Sequence, residues 1–160
     1  MNYFRLSFLL LSLSYSSLAF AIPNVWNTGN GQGWYEYSIS NKKITLNISC
    51  NYWTGSNFEH SLSLSNSKGV DLFMKPNHTL SFLINNKAFE FKTNKLGKVE
   101  SSYRNAANYW EDFIGNIHKA RKIEVYYDDE KIVEYQPRNT NSEELEFMLE
   151  TCSSLYYRND

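Results

Sequence analysis

Two cysteines, Cys50 and Cys152, sit in segments of different hydrophobic period, and joining them dictates what the chain can fold into. Around Cys50 the segment KITLNISCNYW alternates, with Ile44, Leu46, Ile48 and Cys50 on one side and Thr45, Asn47, Ser49 and Asn51 on the other. That is a half-buried strand with the thiol on its apolar face. Around Cys152 the period lengthens: Leu145, Met148, Leu149, Cys152, Leu155 and Tyr156 recur at the three- and four-residue spacing of a helix stripe. Asn141, followed three residues later by Glu144, reads as a capping pattern for that helix. Both thiols point inward, so a Cys50–Cys152 disulfide is expected to pin the last helix to an early strand. Closing a loop of about 100 residues contributes roughly 4–5 kcal/mol in the chain-entropy model.

A disulfide needs an oxidising compartment, and the N-terminus supplies the route. Arg5 is followed by the apolar run FLLLSLSYSSL and by Ala19-Phe20-Ala21, the parts of a cleavable secretory signal. The run is too short and too rich in serine for a spanning helix. The expectation is a signal peptide over residues 1–21 and one α+β domain over 22–160, secreted or periplasmic, with no membrane span after cleavage. Losing Arg5 leaves 15 Lys+Arg against 17 Asp+Glu, a formal charge of −2. Such balance argues against nucleic acid as a partner.

Along the chain, Ile22–Gly33 reads as an irregular lead-in. Alternation then marks strands at Trp34–Ser40, Lys43–Trp53, Glu59–Ser65, Val70–Met74, Thr79–Ile84, Lys87–Lys92, Lys122–Tyr127 and Lys131–Tyr135. Asn85-Asn86 and Asp128–Glu130 read as hairpin turns. Between the hairpins, Tyr103, Ala106, Ala107, Trp110, Phe113, Ile114 and Ile117 form a helical stripe capped by Ser101 or Ser102. The predicted fold is α+β: an antiparallel sheet, flattened barrel or sandwich of about eight strands with two helices packed on it. The segments SLSLSNSKGVDLFM, LSFLINNKAFEFK and ARKIEVYYDDEKIVEYQP resemble, over Leu62–Pro137, the strand succession of invasion-associated locus B-type periplasmic proteins. That resemblance implies an exported β-rich domain and assigns no functional residue.

Local catalytic signatures are absent from the sequence. His60, His78 and His118 form no HxH or HExxH spacing. No nucleophile motif occurs, and Gly29-Asn30-Gly31-Gln32-Gly33 precedes a strand where a phosphate loop needs a helix. The sequence therefore predicts no catalytic residues, no metal and no cofactor. Its 12 tyrosines and 4 tryptophans point toward binding, because such rings dominate interface hot spots. Tyr126, on the outer side of its strand, and the acidic tip Asp128 and Asp129 are the candidate binding residues. The expected function is a non-enzymatic binding protein for another protein, such as a periplasmic inhibitor or immunity factor. A small secreted enzyme or toxin with dispersed catalytic residues, or a carbohydrate-binding module, is the alternative. The oligomeric state has no sequence signal.

Overall fold

The computed structural model describes residues 22–52, 59–69, 78–94 and 96–158. The expected signal peptide, the strand Val70–Met74, Trp53 and the turn at Pro76 and Asn77 lie outside these residues; His78 is described by its backbone alone. Among the described residues, eight strands form two four-stranded antiparallel sheets, the class and about the number that the sequence predicts. In the first sheet β1 (Trp26–Gly31), β2 (Trp34–Ser40), β3 (Ile44–Asn51) and β4 (Ser61–Asn66) lie in sequence order. In the second, β5 (His78–Ile84), β6 (Lys87–Thr93), β7 (Ile123–Tyr127) and β8 (Glu130–Tyr135) take the order β6-β5-β7-β8.

Register follows from the alternation. Tyr37, Ile48 and Leu62 stand side by side across β2, β3 and β4, and Ile39, Leu46 and Leu64 form the next row. In the second sheet Phe82 sits between Phe89 and Val125, and Ile84 is opposite Ile123. All of these side chains are buried, and they belong to one continuous core. A one-residue slip would turn each row to the opposite face, so burial fixes the register. Tight turns set the hairpins: Asn85 and Asn86 at φ 49° and 74°, and Asp128 and Asp129 at 46° and 69°, take the left-handed conformation that two-residue hairpins require.

One departure is β1. Ile22–Gly33 is not an irregular lead-in: Trp26–Gly31 pairs along its whole length with β2, and Gln32 and Gly33 (φ 50° and 87°) make the turn between them. The segment carries no apolar alternation because only Trp26 is buried, the remaining residues lying exposed at the sheet edge.

Helix α1 (Arg104–Ile117) buries Ala107, Trp110, Phe113, Ile114 and Ile117, the predicted stripe. Phe113 meets the rings of Phe82, Phe89 and Phe91 at 4.8–5.5 Å, which seats α1 on the second sheet. Tyr103, counted in the stripe from sequence, is instead the exposed N-cap, and neither Ser101 nor Ser102 caps the helix. Ser101 is buried, and its carbonyl accepts the amide of Tyr156. Ser102 is held by Glu100.

The C-terminal helix is divided into single turns: α2 (Glu143–Glu146), α3 (Met148–Thr151) and α4 (Leu155–Arg158). Ser142, not Asn141, is the N-cap, and it makes no side-chain capping bond. Leu145, Met148, Cys152 and Leu155 are buried as predicted, whereas Leu149 is exposed. At Cys152 the backbone leaves helical geometry (φ −97°, ψ 15°), and side chains take the carbonyls left without helical partners. Trp110 Nε1 donates to the Cys152 carbonyl at 2.7 Å, and Arg158 donates to that of Ser153. The Cys50–Cys152 disulfide is present, joining β3 to the end of α3 across 102 positions.

The outer edge of β4 is closed by a short segment. Leu62 N–H donates to the Gly97 carbonyl and Val99 N–H to that of His60, both at 2.8 Å. Gly97 has φ +69°, and a Cβ there would lie 2.3 Å from the Leu62 carbonyl oxygen. Gly97→Ala is therefore expected to destabilise the fold by about 1–3 kcal/mol. Urea unfolding of the two proteins measures it, and equal midpoints would contradict this account.

Candidate binding site

The hairpin expected to bind is built as predicted, but most of its polar groups are already engaged. Tyr126 lies on the outer face of the second sheet, half-buried, and its hydroxyl donates to Glu124 Oε2 at 2.6 Å. Glu124 also pairs with Lys122 and, at 3.1 Å, with Lys131; Lys131 reaches Glu134 at 2.7 Å. Hydrogen bonds from Lys122, Tyr126 and Lys131 hold the Glu124 carboxyl down at about 2. The same lattice raises the Tyr126 hydroxyl, chiefly through Glu124, and raises Lys131, chiefly through Glu134. A β-bulge at Val125/Tyr126 sets Tyr126 opposite Lys131.

Asp128 extends the sheet. Its backbone N–H donates to the Thr79 carbonyl, and its Oδ1 accepts the Thr79 N–H, both at 3.0 Å. The carboxylate thus stands in for one rung of the β5–β7 ladder. Asp129, beside it in the turn, is exposed.

The histidines do not gather into a site. His118 is the C-cap residue of α1, its Nδ1 3.0 Å from the Ile114 carbonyl and its Nε2 3.9 Å from Glu146. His60 is fully buried, stacked on Trp110 with ring centroids 5.0 Å apart. Its Nε2 lies 2.9 Å from the Ser153 carbonyl and 3.2 Å from Arg158 Nη2, while Nδ1 has no partner among the described residues. Burial first, then the Arg158 charge, pushes the imidazole down to about 3, so it is neutral at physiological pH. Arg158 is held below its usual range by burial, against the favourable charge of Glu111. It also donates to the Asn51 carbonyl, while Glu111 accepts the Ser154 N–H at 2.6 Å. This polar cluster ties the chain's end to both sides of the disulfide. Among the described residues no group of three or more His, Cys, Asp or Glu is placed to hold a metal ion. No helix among them is long and apolar enough to cross a membrane.

Exposed rings converge elsewhere, at the open end of the first sheet. Tyr35, on the inner face of β2, meets Tyr52 at 4.6 Å and Phe147 edge-on at 5.3 Å; Tyr52 and Phe147 are each 41% exposed. Between these rings and β1 lies a cleft of about 380 Å³, lined by Thr28, Asn30, Tyr35, Tyr37, Glu144 and Phe147. Its floor is rigid, because the buried Tyr37 hydroxyl is bonded to Thr151 Oγ1 at 2.6 Å and burial raises the phenol. Sequence alternation places Tyr35 and Tyr37 on the inner face, but nothing local announces that Phe147 folds back onto them.

Against known proteins, the chain matches the YfjT family model over residues 24–143. It is 30% identical over 152 residues to the uncharacterized protein YfjT of Escherichia coli strain K12, covering 92% of this chain and 94% of that protein. It is 32% identical over 141 residues to the uncharacterized protein YkfB of the same strain, covering 85% and 86% respectively. No solved structure matches. The family match spans all eight strands and α1, and on that extent the chain is a member of the YfjT family.

Proposed function

We propose that this chain is an exported, non-enzymatic binding protein that engages another protein, in the manner of a periplasmic inhibitor or immunity factor. The observation that carries the reading is the exposed Tyr35–Tyr52–Phe147 cluster set on a rigid floor. Large rings that are held in place supply contact area at low entropic cost, which is how interface anchors work. The disulfide supports the compartment, since such bonds persist where thiols are oxidised. His60 is neutral and enclosed, and His118 serves a helix end, so both have structural employment.

A photo-crosslinking residue placed at Tyr52 or Phe147 in the producing cell tests this. The expected result is a discrete adduct with one protein from both positions and none from Lys119, an exposed control site at the end of α1. The exported form should have an intact mass beginning at Ile22. Absence of any adduct from the cluster, or an equal adduct from Lys119, would refute the site. A parallel crosslinker at Tyr126 separates the cluster from the β7–β8 hairpin as the contact surface.

A further inference from the structure

We propose that the free edge of β1 takes up an extended basic segment of the partner protein as a fifth strand of the first sheet. This rests on the reading of the protein as a binding module and names how the partner is held. Residues two apart in a strand direct their N–H and C=O groups to the same edge. Trp26 shows which edge that is: its N–H donates to Asn139 Oδ1 at 2.8 Å, and its carbonyl accepts from Asn139 Nδ2 at 3.0 Å. The Asn139 amide thus occupies the first outward rung as a single residue of an added strand would. Thr28 and Asn30 present the next two outward rungs, and their backbone groups have no partner among the described residues.

The other edges are closed or guarded. β4 is covered by the Gly97–Val99 segment. On β6, Glu90 N–H donates to the Tyr109 hydroxyl at 2.5 Å, and Lys87, Glu90 and Lys92 line the strand. β8 carries the bulge and the Lys131–Glu134 pair. Charges and bulges are the usual defences against strand addition. β1 has neither: its sequence, WNTGNG, holds no charged residue.

The surroundings specify the occupant. Side chains of an added strand alternate between faces, and a cavity waits on each. The inner one is the aromatic cleft with Glu144; the outer, about 420 Å³, is lined by Gly29, Gly31, Gln32, Trp34 and Glu36. Each holds one carboxylate and no cation, with three aromatic rings in the inner cavity and Trp34 in the outer. Adjacent Lys or Arg residues in an extended segment would meet Glu144 on one face and Glu36 on the other, beside rings that favour guanidinium. A second copy of this chain fits poorly, since its own β1 brings no basic residue and would place like carboxylates together.

The probe is a capped hexapeptide, Thr-Val-Arg-Arg-Val-Thr, and its analogue N-methylated at alternate residues. Strand addition predicts that the first slows hydrogen exchange of the Thr28 and Asn30 amides at least tenfold at saturation, and that the analogue does not. Thr28→Pro and Asn30→Pro remove outward donors and leave the β2-facing groups of Asn27, Gly29 and Gly31 in place, as edge prolines can. Each should weaken the peptide at least tenfold. Glu144→Lys, on the exposed side of α2, should do the same without touching β1. Binding of the N-methylated analogue with equal affinity, or unchanged exchange at both amides, would overturn the proposal. Self-association through β1 in sedimentation would overturn it in favour of a second copy. Crosslinks from Phe147 that persist undiminished in both proline variants would end strand addition while leaving the binding module standing. Loss of all crosslinks in the unmodified protein would instead sink the parent reading.

Discussion

Replacing Cys50 and Cys152 together by alanine is expected to lower the unfolding free energy by about 4–5 kcal/mol. The bond closes a loop of 102 positions, and the denatured chain gains most of the released entropy. The native state also loses the tie that holds α3 and α4 against the first sheet. What remains there is the burial of Met148 and Leu155 and a few polar bonds: Trp110 to the Cys152 carbonyl, Tyr37 to Thr151, and Arg158 to the Asn51 and Ser153 carbonyls. Each such bond contributes about 1 kcal/mol net, so the C-terminal turns should become the least stable part of the variant. Guanidinium unfolding measures the global loss, and exchange of the α3 and α4 amides should accelerate before that of β5 and β7. A loss below about 1 kcal/mol would mean that the network, not the bond, anchors the C-terminus.

The strands were readable because burial and alternation coincide. Leu46, Ile48 and Cys50 on β3, Leu62 and Leu64 on β4, and Leu80, Phe82 and Ile84 on β5 are all inward, as their spacing dictates. The turns were readable because Asn85 and Asn86 tolerate the left-handed conformation at little cost. The disulfide was readable for the same reason as the strands: each cysteine falls on an apolar face. β1 was not readable, because an edge strand bonded on one side and exposed beyond Trp26 needs no hydrophobic pattern. The division of the last helix was hidden too: Trp110 bonds the Cys152 carbonyl from 42 positions away, a contact with no local signature.

The candidate site divides along the same line. Alternation alone puts Tyr126 outward, but only the folded hairpin shows Glu124, Lys122 and Lys131 gathered round it. Asp128 looks like a free acidic crown in sequence, and only the neighbouring strand reveals that it bonds Thr79. The aromatic cleft joins Tyr35 to Phe147, and Asn139 finds Trp26 across 113 positions. Contacts of such range leave no local trace, so a reading by period finds the platform and misses what is assembled on it.

Acid should destabilise this protein more steeply than its surface charges alone would, because of His60. The imidazole sits at about 3 in the native state and near 6.5 when unfolded. Between these values the unfolded chain binds a proton that the folded one excludes. Stability therefore falls as pH falls below about 6.5, by up to roughly 1.4 kcal/mol per pH unit. At pH 4.5 the loss from this one residue should be about 3 kcal/mol. Protonation is disfavoured first by burial of the ring and then by Arg158, a second cation 3.2 Å away, with Nδ1 lacking an acceptor among the described residues. His60→Phe keeps a ring on Trp110 and removes the titration, at the cost of the contact with the Ser153 carbonyl. The variant should be less stable at pH 7 but lose about 3 kcal/mol less between pH 7 and pH 4.5. Urea unfolding across that range is the measurement. Groups common to both proteins cancel in the difference, so parallel stability curves would show that His60 is not the group that resists the proton.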